Sequence, residues 1–297
     1  MFGYSEKEVF GKNISLIIPE NHRQDYAEGL RIVAAGGEHH LVGKMSETIR
    51  LTKTGKEIPV ELALSQWRTE KGIFFTGVIR DISERKRNEE KTASYVKQLE
   101  ESLTSIVEAI TVISEMRDPY TVGHERRVAD IAVAIGAELG LSENTLEGLH
   151  VAGHLHDVGK MIVPSEILSK PGKLSPIEYQ LIKTHAQSGY DVLKGIKFPW
   201  PVALVALQHH ERMDGSGYPQ NLKNDEILLE ARIMAVADVV EAMSSHRPYR
   251  AGLGITAALE EIENGRGTRY DPNVVTACLR LFRVKGFVIP EKKEVTE

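Results

Sequence analysis

In the first part of the chain, hydrophobic and polar positions follow the two-residue period of a β-sheet. Residues 46–52 have the character of a strand, Thr54 and Gly55 mark a turn, and residues 58–64 alternate between apolar and polar. A second turn at residues 70–72 precedes a third strand over residues 73–81. The pattern predicts short helices followed by a three-stranded antiparallel meander with one buried face.

A long helix is predicted next, because residues 84–116 contain neither Pro nor Gly. Apolar residues recur there at alternating spacings of three and four, at Val96, Leu99, Leu103, Ile106, Ile110 and Ile113. This heptad stripe is typical of a parallel two-stranded coiled coil, and the alternative is an amphipathic helix packed against its own domain. We expect a homodimer, because the upstream sheet offers no obvious surface to cover the stripe. A continuous helix would transmit rotation or a change of register to the second half.

From Asp118 onward the pattern changes to successive amphipathic helices without convincing strands. Ser142 is expected to begin one of these helices and Gly159 to end it. Ser175 with Pro176 has the capping-box pattern of another helix start. Five helices turn residues of metal-ligand type toward the interior: His124, His156, Asp157, His185, His209, His210 and Asp238.

A single histidine on an apolar face is more often a core residue than a ligand. Seven inward polar groups would be costly, however, unless something charged coordinates them. Five imidazoles and two carboxylates are too many for one ion, but they suit two ions about 3.5–4 Å apart, bridged by an aspartate and a water. Without a thiolate the set favours Fe or Mn, allows Zn, Ni or Co, and disfavours Mg or Ca.

Composition narrows the functional classes. The 297 residues are 41% hydrophobic with a formal net charge of -5, which suits two soluble domains and argues mildly against a nucleic acid polymer as partner. The sequence has no apolar run of the roughly 18 residues that a bilayer requires and no signal-peptide pattern, so we expect a cytoplasmic protein without a membrane segment. The single cysteine, Cys278, lies in an apolar pattern and is predicted to be a buried structural thiol.

The front of the chain resembles a PAS domain. The resemblance rests on Phe-Gly-Tyr-Ser at residues 2–5, Lys-Thr-Gly-Lys at residues 53–56 and Asp-Ile-Ser-Glu-Arg-Lys at residues 81–86. It covers the back part of that fold, whose first strands would precede Met1. PAS domains often sense a small molecule or dimerise, but none of the residues here is a convincing cofactor ligand.

The second half resembles the HD-GYP family. Residues 156–160 read His-Asp-Val-Gly-Lys, and residues 209–219 read His-His-Glu-Arg-Met-Asp-Gly-Ser-Gly-Tyr-Pro. Shorter segments that also match lie at residues 118–121, 124–128, 167–172, 237–238 and 247–250. The resemblance spans about residues 105–282. It implies an all-helical phosphohydrolase that hydrolyses cyclic di-GMP to the linear dinucleotide pGpG and, in many members, on to GMP.

The resemblance also implies roles for individual residues. Its metal ligands would be His156, Asp157, His185 and Asp238, joined by His124, His209 and His210, with Asp157 bridging the ions. Family members with a third metal use a Glu where this chain has Tyr120, so two metals are expected. Lys160 would hold a substrate phosphate, and either Lys160 or a metal-ordered water would assist the leaving oxygen. Tyr218, Arg247 and Arg250 match positions that contact the dinucleotide.

Together these patterns predict a multidomain chain. Residues 1–87 would form an α+β partial PAS sensor domain, 88–116 a coiled-coil-like signalling linker, 117–290 an all-α HD-GYP domain and 291–297 a tail. The leading hypothesis is a dimeric, regulated cyclic di-GMP phosphodiesterase. One alternative is a nucleotide receptor whose GYP loop engages partners such as diguanylate cyclases, and another is a hydrolase of a different 3′,3′-cyclic dinucleotide. The complete ligand set favours the enzyme.

Overall fold

The computed structural model describes residues 1–34, 43–70, 72–117, 122–170, 172–245 and 252–290. These residues fall into two compact units, here called the sheet unit (Met1–Glu101) and the helical unit (Ser102–Glu297). The division lies inside a 35-residue helix, Ser83–Arg117. The predicted domain limits at residues 87, 116 and 290 stay predictions, and the predicted tail lies outside the described residues.

The bounds of the elements are as follows. The strands are β1 (Met45–Leu51), β2 (Glu57–Thr69) and β3 (Gly72–Asp81). The α-helices are α1 (Glu6–Val9), α2 (Arg23–Ala34), α3 (Ser83–Arg117), α4 (His124–Glu138), α5 (Glu143–Leu155), α6 (Ser165–Leu168), α7 (Pro176–Leu193), α8 (Val202–Gln208), α9 (Leu229–Ser244), α10 (Gly254–Asn264) and α11 (Pro272–Arg283). Short 3₁₀ helices occupy Ile14–Ile17, Glu20–His22, Val158–Ile162 and Asn224–Glu226.

The sheet unit contains the predicted antiparallel meander, with strand order β1-β2-β3. Val60 of the central strand is opposite Thr48 on one side and Asp81 on the other. Ile58, Val60 and Leu62 are buried, as their alternation with polar residues predicts. The prediction of three strands is therefore confirmed, and a buried face is seen on the first half of β2, whereas β3 has no buried residue.

Helix α3 presents two different faces. Val107, Thr111 and Ser114 are buried, which shows that this part of the helix packs within the helical unit. Most of the predicted heptad stripe is exposed, with Leu99 66% and Leu103 56% accessible, whereas Ile110 of the stripe packs against the core of the helical unit. The helix thus combines features of both interpretations of its sequence, and the homodimer stays a prediction. Across the described residues, no helix is both long enough and apolar enough to cross a bilayer.

The core of the helical unit is built from α4, α5, α8, α9, α10 and α11, together with the buried end of α3 and Leu193 at the end of α7. Gly153 allows α5 to approach α4 closely, since a Cβ at this position would lie 2.5 Å from the Cα of Ala129. The capping box of Ser175 and the burial of Cys278 are both as predicted.

The end of α5 differs from the prediction. The helix ends at Leu155 and is followed by the 3₁₀ turn Val158–Ile162, so Gly159 does not end it. Gly159 instead leaves space for α7, because a Cβ there would lie 2.0 Å from the carbonyl oxygen of His185. The glycine is needed for a close approach between two elements, and the prediction of a helix terminator was wrong.

Candidate metal centre

The structure brings the seven predicted ligand residues together in the helical unit. Only His185 and Asp238 lie inside a helix; His124 is the first residue of α4, and the remaining four follow directly after helix ends. His156 and Asp157 follow α5, and His209 and His210 follow α8: each pair stands at the point where the chain leaves a helix. The ends of helices therefore position most of the predicted ligands.

Asp157 is at the centre of the cluster. Its Oδ2 lies 3.5 Å from Nε2 of His156 and 4.0 Å from Nε2 of His124. Its Oδ1 lies 3.2 Å from Nε2 of His185 and 3.7 Å from Nε2 of His209. The two oxygens of one carboxylate thus face two different pairs of imidazoles.

Two overlapping groups of ligand atoms result. In one, the ligand atoms of Asp157, His185, His209 and His210 all lie within 4.8 Å of one another; in the other, those of His124, His156 and Asp157 do. Asp238 adjoins the second group, with its Oδ1 3.3 Å from Nε2 of His124. A carboxylate shared between two groups is the arrangement that bridged two-metal sites use.

Backbone carbonyls orient three of the imidazoles. The Nδ1 atoms of His156, His185 and His209 lie 2.7, 2.6 and 2.8 Å from the carbonyl oxygens three residues earlier in the chain. A carbonyl only accepts hydrogen bonds, so each Nδ1 carries the proton and donates it. In the neutral ring Nε2 then keeps its lone pair, and it faces Asp157, which is the tautomer that a metal ligand needs.

Two buried atoms test whether this set suits a cation. Nε2 of His156 and Oδ1 of Asp157 are buried and have no hydrogen-bond partner among the described residues. A buried polar atom left in this state costs free energy, and a bound cation would satisfy both atoms. The donors are nitrogen and oxygen without sulfur, so the residues fit divalent transition-metal ions.

The pKa shifts of His156, His210 and Asp157 also favour a bound cation. Burial lowers the pKa of His156 to about 4 and also lowers that of His210. Burial alone would raise the pKa of Asp157, but Lys160 and the imidazoles hold it well below its usual range. For His124 in the metal-free site, hydrogen bonds with Asp238 and Glu241 outweigh burial and raise the pKa to about 10.

A cavity of about 730 Å³ opens onto this cluster, a volume typical of sites for small molecules. Lys160 lines it and forms an ion pair with Asp157. Tyr218 also lines it, with its ring centroid 4.7 Å from that of His210. The predicted substrate contacts Lys160 and Tyr218 are therefore at the cavity, whereas Arg247 and Arg250, like Tyr120, lie outside the described residues.

Sequence reasoning missed other residues of the cavity wall. Arg212 and Tyr179 line the cavity, and Lys183 places its Nζ 4.9 Å from the ring centroids of both Tyr179 and Tyr218. Arg212 falls inside the segment that carries the resemblance, but nothing in its spacing assigns it a role. Spacing places Glu241 on the same face of its helix as Asp238 but assigns it no function, and the structure gives it the Nδ1 of His124 as a partner.

Comparisons with known proteins agree with the architecture. Residues 108–274 match a family model described as HD domain, and residues 1–84 match one described as PAS domain. The chain is 41% identical over 195 residues to a cyclic di-GMP phosphodiesterase of Thermotoga maritima, a match that covers 65% of this chain and 53% of the relative. It is 40% identical over 194 residues to the cyclic di-GMP phosphodiesterase response regulator RpfG of Xanthomonas campestris pv. campestris, covering 65% and 51%.

A third relative carries a different substrate in its name. The chain is 37% identical over 205 residues to 3'3'-cGAMP-specific phosphodiesterase 3 of Vibrio cholerae, covering 69% of this chain and 45% of the relative. The chain spans about half the length of the curated relatives it matches.

Proposed function

Since the chain belongs to the HD domain family, we propose that it is a metal-dependent phosphodiesterase that hydrolyses cyclic di-GMP to pGpG, to GMP, or to both. The observation that carries the proposal is the cluster around Asp157, which adjoins a cavity large enough for a nucleotide. Two of the relatives named above are cyclic di-GMP phosphodiesterases. A second candidate substrate is 3′,3′-cGAMP, which the name of the Vibrio relative favours.

We expect two divalent ions, iron or manganese, held by His124, His156, Asp157, His185, His209, His210 and Asp238 with Asp157 shared. Bound ions would supply Lewis-acid stabilisation of the phosphate oxygens and a nucleophile at neutral pH. The nitrogen and oxygen donors and the shared carboxylate support this expectation.

Residues of the cavity wall would bind and orient the substrate. The ammonium of Lys160 would hold a phosphate oxygen and donate a proton to the leaving 3′-oxygen. Tyr218 would contact the dinucleotide, since its ring packs beside His210 at the cluster. Arg247 and Arg250 are proposed as further substrate contacts on the strength of the sequence resemblance alone.

The test is a turnover assay on protein purified without oxygen. Bound metals are quantified, and hydrolysis of cyclic di-GMP and of 3′,3′-cGAMP is followed in wild type, in Asp157→Ala and in Asp191→Asn. Asp191 is a half-exposed aspartate that pairs with Lys194, so its variant is the control. We expect at least about a thousand-fold loss of kcat/KM in Asp157→Ala and wild-type rates in the control.

The outcomes separate the alternatives. Hydrolysis of 3′,3′-cGAMP in preference to cyclic di-GMP would select the second substrate. Nucleotide binding without turnover by the metal-loaded wild type would contradict the enzyme and favour the receptor hypothesis, in which the GYP loop engages a diguanylate cyclase.

We further propose that the chain is a homodimer through the heptad stripe of α3 and that the PAS domain regulates the enzyme through this helix. Leu99 and Leu103 are exposed members of the stripe, and burying them against a second copy would remove apolar surface from water. Sedimentation of wild type should give a dimer, and the double variant Leu99→Glu, Leu103→Glu should give a monomer. Gln98→Glu with Ser102→Glu adds the same charge at exposed neighbouring positions and should stay dimeric; a monomeric wild type would exclude the dimer.

A further inference from the structure

One imidazole of the metal centre is oriented differently from the others. His156, His185 and His209 donate from Nδ1 to backbone carbonyls of their own helices. His124 is the first residue of α4, so no earlier turn of that helix supplies a carbonyl for its ring. Its Nδ1 donates instead to Oε2 of Glu241, which comes from α9 and lies 117 residues away in the chain.

Glu241 is a fully buried carboxylate with a complete set of partners. It is 1% exposed. Its Oε1 accepts hydrogen bonds from Nε of Arg127 and from Oγ of Ser245, both at 2.6 Å. A buried charge is tolerated when it is paired and hydrogen-bonded in this way. The Glu241 carboxylate is therefore stabilised by its buried surroundings, although it belongs to neither group of ligand atoms.

The sequence also leaves space for the guanidinium of Arg127, which pairs with Glu241. Gly123, immediately before α4, has φ 74°, and a Cβ there would lie 2.8 Å from Nη1 of Arg127. A side chain at this position would be strained and would crowd the guanidinium. The start of α4 thus holds Arg127 beside Glu241, and Glu241 in turn holds the ring of His124.

A carboxylate partner affects a ligating imidazole more strongly than a carbonyl does. It fixes the ring and makes Nε2 a stronger electron donor, and removing such a partner typically lowers metal affinity about 10–100-fold. The two sides of Asp157 then differ. The Oδ2 side has His124, His156 and a second carboxylate, Asp238, and the ammonium of Lys160 also pairs with Oδ2. The Oδ1 side has imidazoles alone.

We propose that Glu241 is a positioning residue that makes the His124 side of the centre the tighter metal site, so that the two ions bind in order and the His124 side fills first. The inference rests on the proposed metal-dependent function. It assigns to Glu241 no contact with either ion or with the substrate, and its effect passes through the imidazole of His124.

The experiment measures metal binding without any nucleotide. The full chain is stripped with a chelator and titrated with Mn²⁺, with calorimetry to give the affinities and electron paramagnetic resonance to distinguish one bound ion from a coupled pair. In wild type we expect two unequal steps, a single-ion signal after the first and a coupled signal after the second. His210→Ala assigns them, because His210 belongs to the Oδ1 group and its loss should abolish only the weaker step.

Glu241→Gln is the decisive variant, since it keeps the shape of the side chain and removes the charge. The tighter step should weaken about 10–100-fold and the weaker step should keep its affinity. Glu138→Gln is the matched control: Glu138 is a carboxylate at the other end of α4, 5% exposed, that pairs with Arg280 and Lys285. Both steps should be unchanged in it.

Several results would overturn the inference. Equal affinities in wild type would do so without any variant, so the test does not depend on whether Glu241→Gln folds. Equal weakening of both steps in Glu241→Gln would reduce Glu241 to a general structural role. The proposed function fails separately: a wild type that loads two ions in order but hydrolyses neither cyclic dinucleotide would contradict the proposed reaction and leave the order of loading intact.

Discussion

The close approach of the 3₁₀ turn Val158–Ile162 to helix α7 makes Gly159→Ala a sharp test of the site. A Cβ on Gly159 would lie 2.0 Å from the carbonyl oxygen of His185 and 2.5 Å from the backbone nitrogen of Gly189. Both atoms belong to the backbone of α7, so a side-chain rotation cannot relieve the overlap. The turn and the helix must separate.

The size of the separation follows from these distances. Real Cβ atoms essentially never approach other heavy atoms closer than 3.0 Å, so the contact at 2.0 Å requires a shift of at least about 1 Å. The turn follows directly after His156 and Asp157, and α7 carries His185, so the shift separates ligands on the two sides of the centre. Overpacking of this kind costs about 1–3 kcal/mol of stability, and a misplacement of about 1 Å can lower a rate about a hundred-fold.

Gly189→Ala is the control at the same interface. A Cβ there would find its nearest neighbours at 3.5 and 3.6 Å, which is ordinary contact, and alanine is favoured over glycine inside a helix by about 1 kcal/mol. We expect Gly189→Ala to be as stable as wild type or more so and to bind metal normally. Gly159→Ala should melt at a lower temperature, retain less metal and hydrolyse cyclic di-GMP about a hundred-fold more slowly.

The assays are thermal unfolding, metal quantification after equal dialysis, and turnover of the reloaded protein. Wild-type stability together with a wild-type complement of metal in Gly159→Ala would show that the turn does not contact α7 as described. Loss of metal in Gly189→Ala as well would show that the interface, rather than the overlap at Gly159, is what the substitution disturbs.

Two further predictions use buried groups. Burial lowers the pKa of His154 from 6.5 to about 4. Between these pH values the unfolded chain binds a proton that the folded chain does not bind. The free energy of unfolding therefore contains a contribution of up to about 3 kcal/mol that is present above pH 6.5 and is lost as the pH falls toward 4. Urea unfolding at pH 7 and pH 5 should show a smaller loss in His154→Gln than in wild type, and an equal loss would contradict the assignment. Burial raises the pKa of Cys278 from 9.0 to about 12, so a disulfide reagent at pH 8 should label the folded chain at least about a thousand-fold more slowly than the urea-unfolded chain; prompt labelling of folded protein would refute the burial.

Local patterns predicted the elements of the sheet unit and the long helix well. The third strand, expected over residues 73–81, occupies Gly72–Asp81, and the helix expected over residues 84–116 occupies Ser83–Arg117. Both predictions rest on signals contained within a few neighbouring residues, namely alternation, turn residues and the absence of Pro and Gly. Such signals predict elements because they do not depend on contacts with distant segments.

Contacts between distant segments could not be predicted from the sequence. Thr111 places its Oγ1 3.2 Å from the carbonyl oxygen of His154, 43 residues away, and Glu241 pairs with His124 across 117 residues. The spacing of Asp238 and Glu241 places both on one face of a helix, but spacing cannot say which other helix that face meets. The inward set of ligand types could be predicted because burying so many polar groups needs a common explanation, whereas their partners could not.

The early end of α5 explains how an imidazole of the metal centre is oriented. A helix leaves its last four carbonyls without amide partners, and His156 and His209 stand directly after the last residues of α5 and α8. Each donates from Nδ1 to a carbonyl of the last turn, that of Gly153 or Ala206. The same hydrogen bond therefore completes the helix end and fixes the tautomer that leaves Nε2 free. His185 makes the equivalent hydrogen bond to the carbonyl of Ile182 inside α7, because a carbonyl oxygen has two lone pairs and can accept from an imidazole as well as from an amide.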